Sequence, residues 1–122
     1  MELSTLEEKI YSALLADTEI MELLPQGESS IIHLQAPAVY PDYPILVYTP
    51  IGDVPILHGD NREKLHRVAI RIHIIADDYW ALYSAVKRVM AELDFTRVNT
   101  TLFADENGKR MLIADFKIVI GG

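Results

Sequence analysis

Four histidines and one conspicuous pair of adjacent acids are the residues with most to offer chemically. His58-Gly59-Asp60, with His66 a few residues on, combines imidazole with carboxylate, the donors that suit zinc and similar ions. Such a site needs three or four convergent ligands. His66 and His73 are seven apart, so an extended strand places them on opposite faces, out of reach of a common ion unless the strand bulges. Asp77-Asp78 could act as acid and base, yet adjacent acids ahead of an amphipathic helix are accounted for by capping and the helix dipole. Ser84 and Ser29-Ser30 have no base at a suggestive spacing. No GxGxxG, P-loop or HExxH pattern occurs. No catalytic, cofactor or metal residue is assigned on this reading, and no cofactor is expected.

What remains is surface chemistry. Arg67, Arg71 and His73 form a basic row along one strand face, which reads either as a phosphate contact or as a row pairing with acids on a neighbouring strand or subunit. Tyr40, Tyr43, Tyr48, Tyr79, Trp80 and Tyr83 lie near proposed element ends. Trp80 flanks a helix's inner stripe, where an aromatic either packs at the core edge or anchors an interface.

The elements that must position these residues centre on 66–93. In HRVAIRIHII, Val68, Ile70, Ile72 and Ile74 alternate with Arg67, Ala69, Arg71 and His73, the pattern of a strand buried on one face. Asp77-Asp78 is read as the cap of the next helix, whose stripe is Leu82, Val86, Val89 and Leu93, with Ala85 and Met90 beside it. Upstream, Ser4 and Glu7 read as a capping box for a helix with Leu6, Ile10, Ala13 and Leu14 inside. Asp17 opens a second short turn through Leu24 that stops at Pro25.

Ile31–Leu34 reads as an edge strand, and Pro37, Pro41 and Pro44 impose an extended or turning segment. Ile45–Tyr48 is a strand with Pro50 past its end. Residues 51–64 read as a long polar loop of the functional or mobile kind. Phe95 and Thr96 close the second main helix. Val98–Phe103 and Arg110–Ile120 form a hairpin about Asp105-Glu106-Asn107-Gly108. The expected fold is α+β: a single mostly antiparallel β-sheet with two α-helices packed on one face, in one domain spanning 1–122.

Composition narrows the partners. Half the 122 residues are hydrophobic, cysteine is absent and net charge is −7. That charge argues against a basic nucleic-acid footprint. No apolar run reaches the ~20 residues of a membrane span. Glu2, Glu7 and Glu8 do not read as a secretory signal, and absent cysteine fits a cytoplasmic setting. Residues 1–61 carry ten acids and one base, residues 62–122 eight acids and ten bases. This asymmetry fits either scattered surface charge or a head-to-tail contact between opposite faces of neighbouring subunits.

In its layout the chain resembles the tail-completion, or tail-terminator, proteins of long-tailed bacteriophages and prophages. The resemblance is carried by LEEKIYSALLADTEIMELL, APAVYPDYPILVY, HRVAIRIHIIADDYWALYSAVKRVMAEL and MLIADFKIVIGG, which span roughly Leu3 to Ile120. It implies a non-enzymatic structural protein at the head-proximal end of the tail tube, helping to join tail to capsid. The implied partners are copies of itself in a ring, six subunits being the size the resemblance suggests, together with tail-tube and head-connector proteins. The implied location is the virion, and the bacterial host's cytoplasm during assembly. On this reading the loop 51–64 and the basic row supply subunit contacts, with His58, Asp60, Asn61, Arg62, Arg67, Arg71 and Trp80 as candidates. The alternatives are a small ligand-binding or regulatory α+β domain and, third, an enzyme using His58, Asp60 and His66.

Overall fold

Leu6, Ile10 and Leu14 recur every four residues, so a helix through them carries one apolar stripe, and all three are buried in α1 (Leu3–Ala16). The computed structural model describes residues 2–35, 43–59, 62–104 and 110–121, with the backbone alone at 58 and 62–64. Helix α1 begins two residues earlier than a Ser4 cap would allow. Glu2 is its N-cap without a side-chain bond, and Ser4 lies inside the helix, so the expected capping box does not form. Asp17 does cap α2 (Thr18–Leu23): its Oδ2 accepts from the Ile20 amide at 3.0 Å. A 3-10 turn over Gly27–Ser30 leads into β1 (Ile31–His33).

The other strands are β2 (Ile45–Gly59), β3 (Arg62–Ile75), β4 (Thr96–Ala104) and β5 (Arg110–Gly121), with α3 (Tyr79–Glu92) between β3 and β4. They form one sheet in the order β1-β2-β3-β5-β4. The β1–β2 pair is parallel and the rest are antiparallel. The fold is therefore α+β as expected, with the short α2 added to the two longer helices.

Strand β3 is central, paired with β2 on one side and β5 on the other, and both its faces are used. Val68, Ile70, Ile72 and Ile74 are fully buried toward the helices, together with Leu112, Ala114 and Phe116 of β5. Leu82, Val86, Val89 and Met90 meet them from α3. Burying each such side chain is worth roughly 1.5–3 kcal/mol, which docks the helical layer on the sheet. On the opposite face Ile45, Val47 and Ile75 form a second small cluster with Ile32 and Met111.

Two boundaries differ from the expectation for local reasons. Helix α3 ends at Glu92, and Asp94 takes φ +70 while the Phe95 amide bonds the Met90 carbonyl at 2.9 Å. This is a Schellman-type stop with aspartate in the left-handed position, so Phe95 and Thr96 lie beyond the helix and Thr96 starts β4. Asp78 is the N-cap of α3 but its carboxylate makes no cap bond. The segment through Pro37 and Pro41 and the turn Asp105–Gly108 lie outside the described residues.

Candidate functional site

The largest departure from the sequence reading is the stretch expected as a loop. Residues 51–59 continue β2 and residues 62–64 begin β3, so the two strands form one long hairpin. Pro50 is tolerated inside the strand because the ladder shifts register between Pro50 and Gly52, and a bulge removes the need for one donor. Further shifts fall at Pro55/Leu57 and Leu57/His58. Strand β5 ends in register with Leu65, and β1 covers only Leu46–Tyr48 of β2. The far part of the hairpin thus extends as a two-stranded arm.

The far half of β2 carries half-exposed aliphatic side chains, Leu57 at the start of the arm and Ile51 and Val54 where β5 still flanks β3. Ile51, Val54, Ile56 and Leu57 are all between 44% and 51% exposed. Val54, Arg67 and Val119 stand in register across β2, β3 and β5, all exposed and on the face away from the helices. Several large apolar side chains exposed in one region are the mark of an interaction surface.

The candidate residues distribute unevenly. Arg67 lies in that exposed row, between Val54 and Val119. Arg71, four residues on and on the same face, is committed within the subunit. Its Nε and Nη2 donate to the two Asp115 carboxylate oxygens at 2.8 and 3.1 Å. That bidentate bond holds the guanidinium's pKa above its ordinary value. His58 lies on β2 in register with Glu63, and Arg62 pairs with Gly59 on β3. Asp60 and Asn61 lie outside the described residues.

The histidines do not converge. His66 is buried on the helix-facing side, with Nδ1 2.5 Å from Asp53 Oδ1. His73 is on the other face in register with Val47 and Ile113. Its Nδ1 is buried without a hydrogen-bond partner among the described residues. Burial, and secondarily the Arg71 charge, lower the His73 pKa from 6.5, while Asp115 opposes the shift.

Trp80 is 54% exposed. It stands beside the rings of Tyr79 and Tyr83, with centroids 5.1 and 6.0 Å away. Tyr83 is buried, and its hydroxyl shares a 2.8 Å hydrogen bond with Thr100 of β4. This bond places the Trp80 end of α3 beside the outer edge of the sheet.

Two open clefts flank α1. One, of about 480 Å³, has Leu6, Leu93 and Ile120 among its lining residues, with Lys9, Glu92 and Asp94 around them. The other, of about 420 Å³, is lined by Ser4, Glu7, Glu8, Tyr11, His33 and Tyr48. There Glu7 is paired with His33, whose ring stacks on Tyr48 at 4.9 Å. Burial, then Glu7 and Tyr11, raise the Tyr48 pKa above its ordinary value.

Sequence reasoning missed the exposed aliphatics of the arm and the bareness of β4, where every residue except Thr100 is exposed. A signal was present in both. VPIL in the arm and VNTTLF in β4 hold aliphatic or aromatic residues without the strict alternation of a half-buried strand.

No curated protein sequence matches this chain. Residues 8–120, nearly all of it, match the family model of tail completion protein gp17, so the chain belongs to this phage tail-completion family, whose role is structural.

Proposed function

We propose that the protein completes the phage tail tube as a ring of identical subunits and joins it to the head, acting through surfaces alone, without catalysis. The observation that supports this best is the far half of the β2–β3 hairpin, where Ile51, Val54, Ile56 and Leu57 are about half exposed. A subunit that carries such a surface gains by laying it on a neighbour, at roughly 25 cal/mol for each Å² of apolar area covered. Repeated around a closed ring, one contact between two different faces gives every arm a seat. His58 and Arg62 at the far end of the hairpin, Asp60 and Asn61 between them in the sequence, Arg67 in register with Val54 and Val119, and Trp80 at the sheet edge are the candidate contacts. Six subunits is the size suggested by the family pattern. The place of action is the virion, with assembly in the host cytoplasm, and the partners are tube and connector proteins.

Light scattering across concentration and salt tests this. The wild type is expected at a small integer multiple of the subunit mass. Ile56→Asp with Leu57→Asp is expected to weaken self-association at least about tenfold while the monomer stays folded, because truncating interface anchors has effects of that order. A wild type that stays monomeric throughout would overturn self-assembly. Unchanged association of the double variant would overturn the arm's part in it.

A further inference from the structure

The two edges of the sheet are finished in opposite ways. The β1 edge is short: three residues, ended by Leu34 at φ +77. Such a stub itself offers little to an incoming strand, although it leaves β2 beyond Tyr48 unpaired on that side among the described residues. The β4 edge is nine residues long and hydrogen-bonded only to β5. It contains no proline, no lysine and no acid, and Val98, Leu102 and Phe103 are each about half exposed. A long, apolar, unblunted edge is a template for another chain. Trp80 adds an exposed aromatic beside it through the Tyr83–Thr100 bond.

Charge identifies what covers this edge. Arg97 is the only charged residue on β4, is exposed, and has no acidic partner among the described residues; its guanidinium contacts only Thr100 Oγ1 at 3.2 Å. At the opposite side of the sheet, α1 brings Glu8 to the cleft with Tyr11, His33 and Tyr48. Glu8 is exposed and has no cationic partner among the described residues, while Glu7 beside it is already paired with His33. A guanidinium is planar and suits a site that combines a carboxylate with aromatic faces. Placing β4 against α1 and β1 brings opposite charges together.

We infer that the β4 edge of one subunit docks against the α1–β1 side of a second copy, with Arg97 entering the Glu8–Tyr11–Tyr48 cleft. This rests on the ring reading and specifies one of its contacts. The contact is head-to-tail, so it propagates around a ring, and the strand pairs with too short a β1 to be covered by it alone. At ~3.3 Å per strand residue and ~1.5 Å per helix residue, β4 spans about 30 Å and α1 about 21 Å, so the helix flank supplies most of the remaining cover.

Charge exchange and cross-linking test it. Arg97→Glu and Glu8→Arg are each expected to weaken association at least about tenfold, since like charges then face each other. The two together are expected to return it to within about threefold of wild type, the signature of direct coupling. Because the chain has no cysteine, Ser4→Cys protein mixed with Thr101→Cys protein is expected to give a dimer with a short bis-maleimide. Neither is expected to do so alone. Thr101→Cys cross-linking to itself, or a double exchange that fails to recover, would overturn the contact. Arg97→Glu assembling like wild type would overturn it while leaving the ring intact. A wild-type chain that never self-associates would overturn both.

Discussion

Strands β2 and β3 each run through two environments, and the contrast between them separates folding from assembly. Near Tyr48 and Ile72 they lie under α1 and α3, and the helix-facing side chains are buried. Farther along, Val68 and His66 are still buried on the helix-facing side, but Val54 on the opposite face and Leu57 near the hairpin end, aliphatics of the same types, are half exposed. Side-chain type is therefore not what distinguishes the halves; the covering layer is. The first half contributes to the stability of the subunit alone, and the second has apolar surface whose burial requires another molecule.

The largest effect that would sharpen this contrast is at Ile72, which is fully buried at the centre of the sheet. Ile72→Ala is expected to cost about 2–5 kcal/mol in urea unfolding, by lost transfer energy and the cavity left behind. It should lower self-association only in proportion to the folded fraction. Leu57→Ala, at a half-exposed position of the arm, is expected within about 0.5 kcal/mol of wild type in the same measurement. Equal losses at the two positions would break the division.

A finer comparison uses two arginines on one face of one strand. Arg71 is bonded through Nε and Nη2 to Asp115, whereas Arg67 stands in register with Val54 and Val119. Arg71→Glu removes that pair and places a second carboxylate beside Asp115. It is expected to cost about 1 kcal/mol, the upper end for a pair whose arginine is 41% exposed. Arg67→Glu is expected to leave urea unfolding unchanged within about 0.5 kcal/mol and to lower self-association. Replacing both at once would confuse folding with assembly, so the single variants are the ones to measure.

How much of this was readable beforehand follows the same line. The β3 alternation and the α3 stripe were legible because one face of each is buried, and burial on one face writes a period into the sequence. The arm was not. Pro50, Gly52, Pro55 and Gly59 carry the signals of a loop, and three register shifts break the period-two pattern that would have contradicted them. The commitment of Arg71 to Asp115 was equally hidden, since the two are 44 residues apart and meet only through the β3–β5 register. Asp17 as a cap was legible because its partner, Ile20, is three residues away. Local devices could be read in part, Asp17 correctly and the Ser4–Glu7 box not; what depended on pairing between distant strands could not.

The smallest expected effect concerns His73, whose face is shared with Arg71 and Asp115 and whose strand neighbours are Val47 and Ile113. Its pKa in the folded protein lies below the 6.5 of the free side chain, chiefly through burial. The unfolded chain therefore binds this proton more tightly than the folded one, and stability rises with pH across the window between the two values. Above about pH 7 both states hold the ring neutral and the contribution is complete. As pH falls below 6.5, stability is lost until the lowered folded value is passed. His73→Leu removes the titration, and with it the buried Nδ1 that lacks a partner. The difference in unfolding free energy between variant and wild type is expected to be flat above pH 7 and to move in the variant's favour below 6.5. Curves that stay parallel through that window would show that His73 titrates alike in both states.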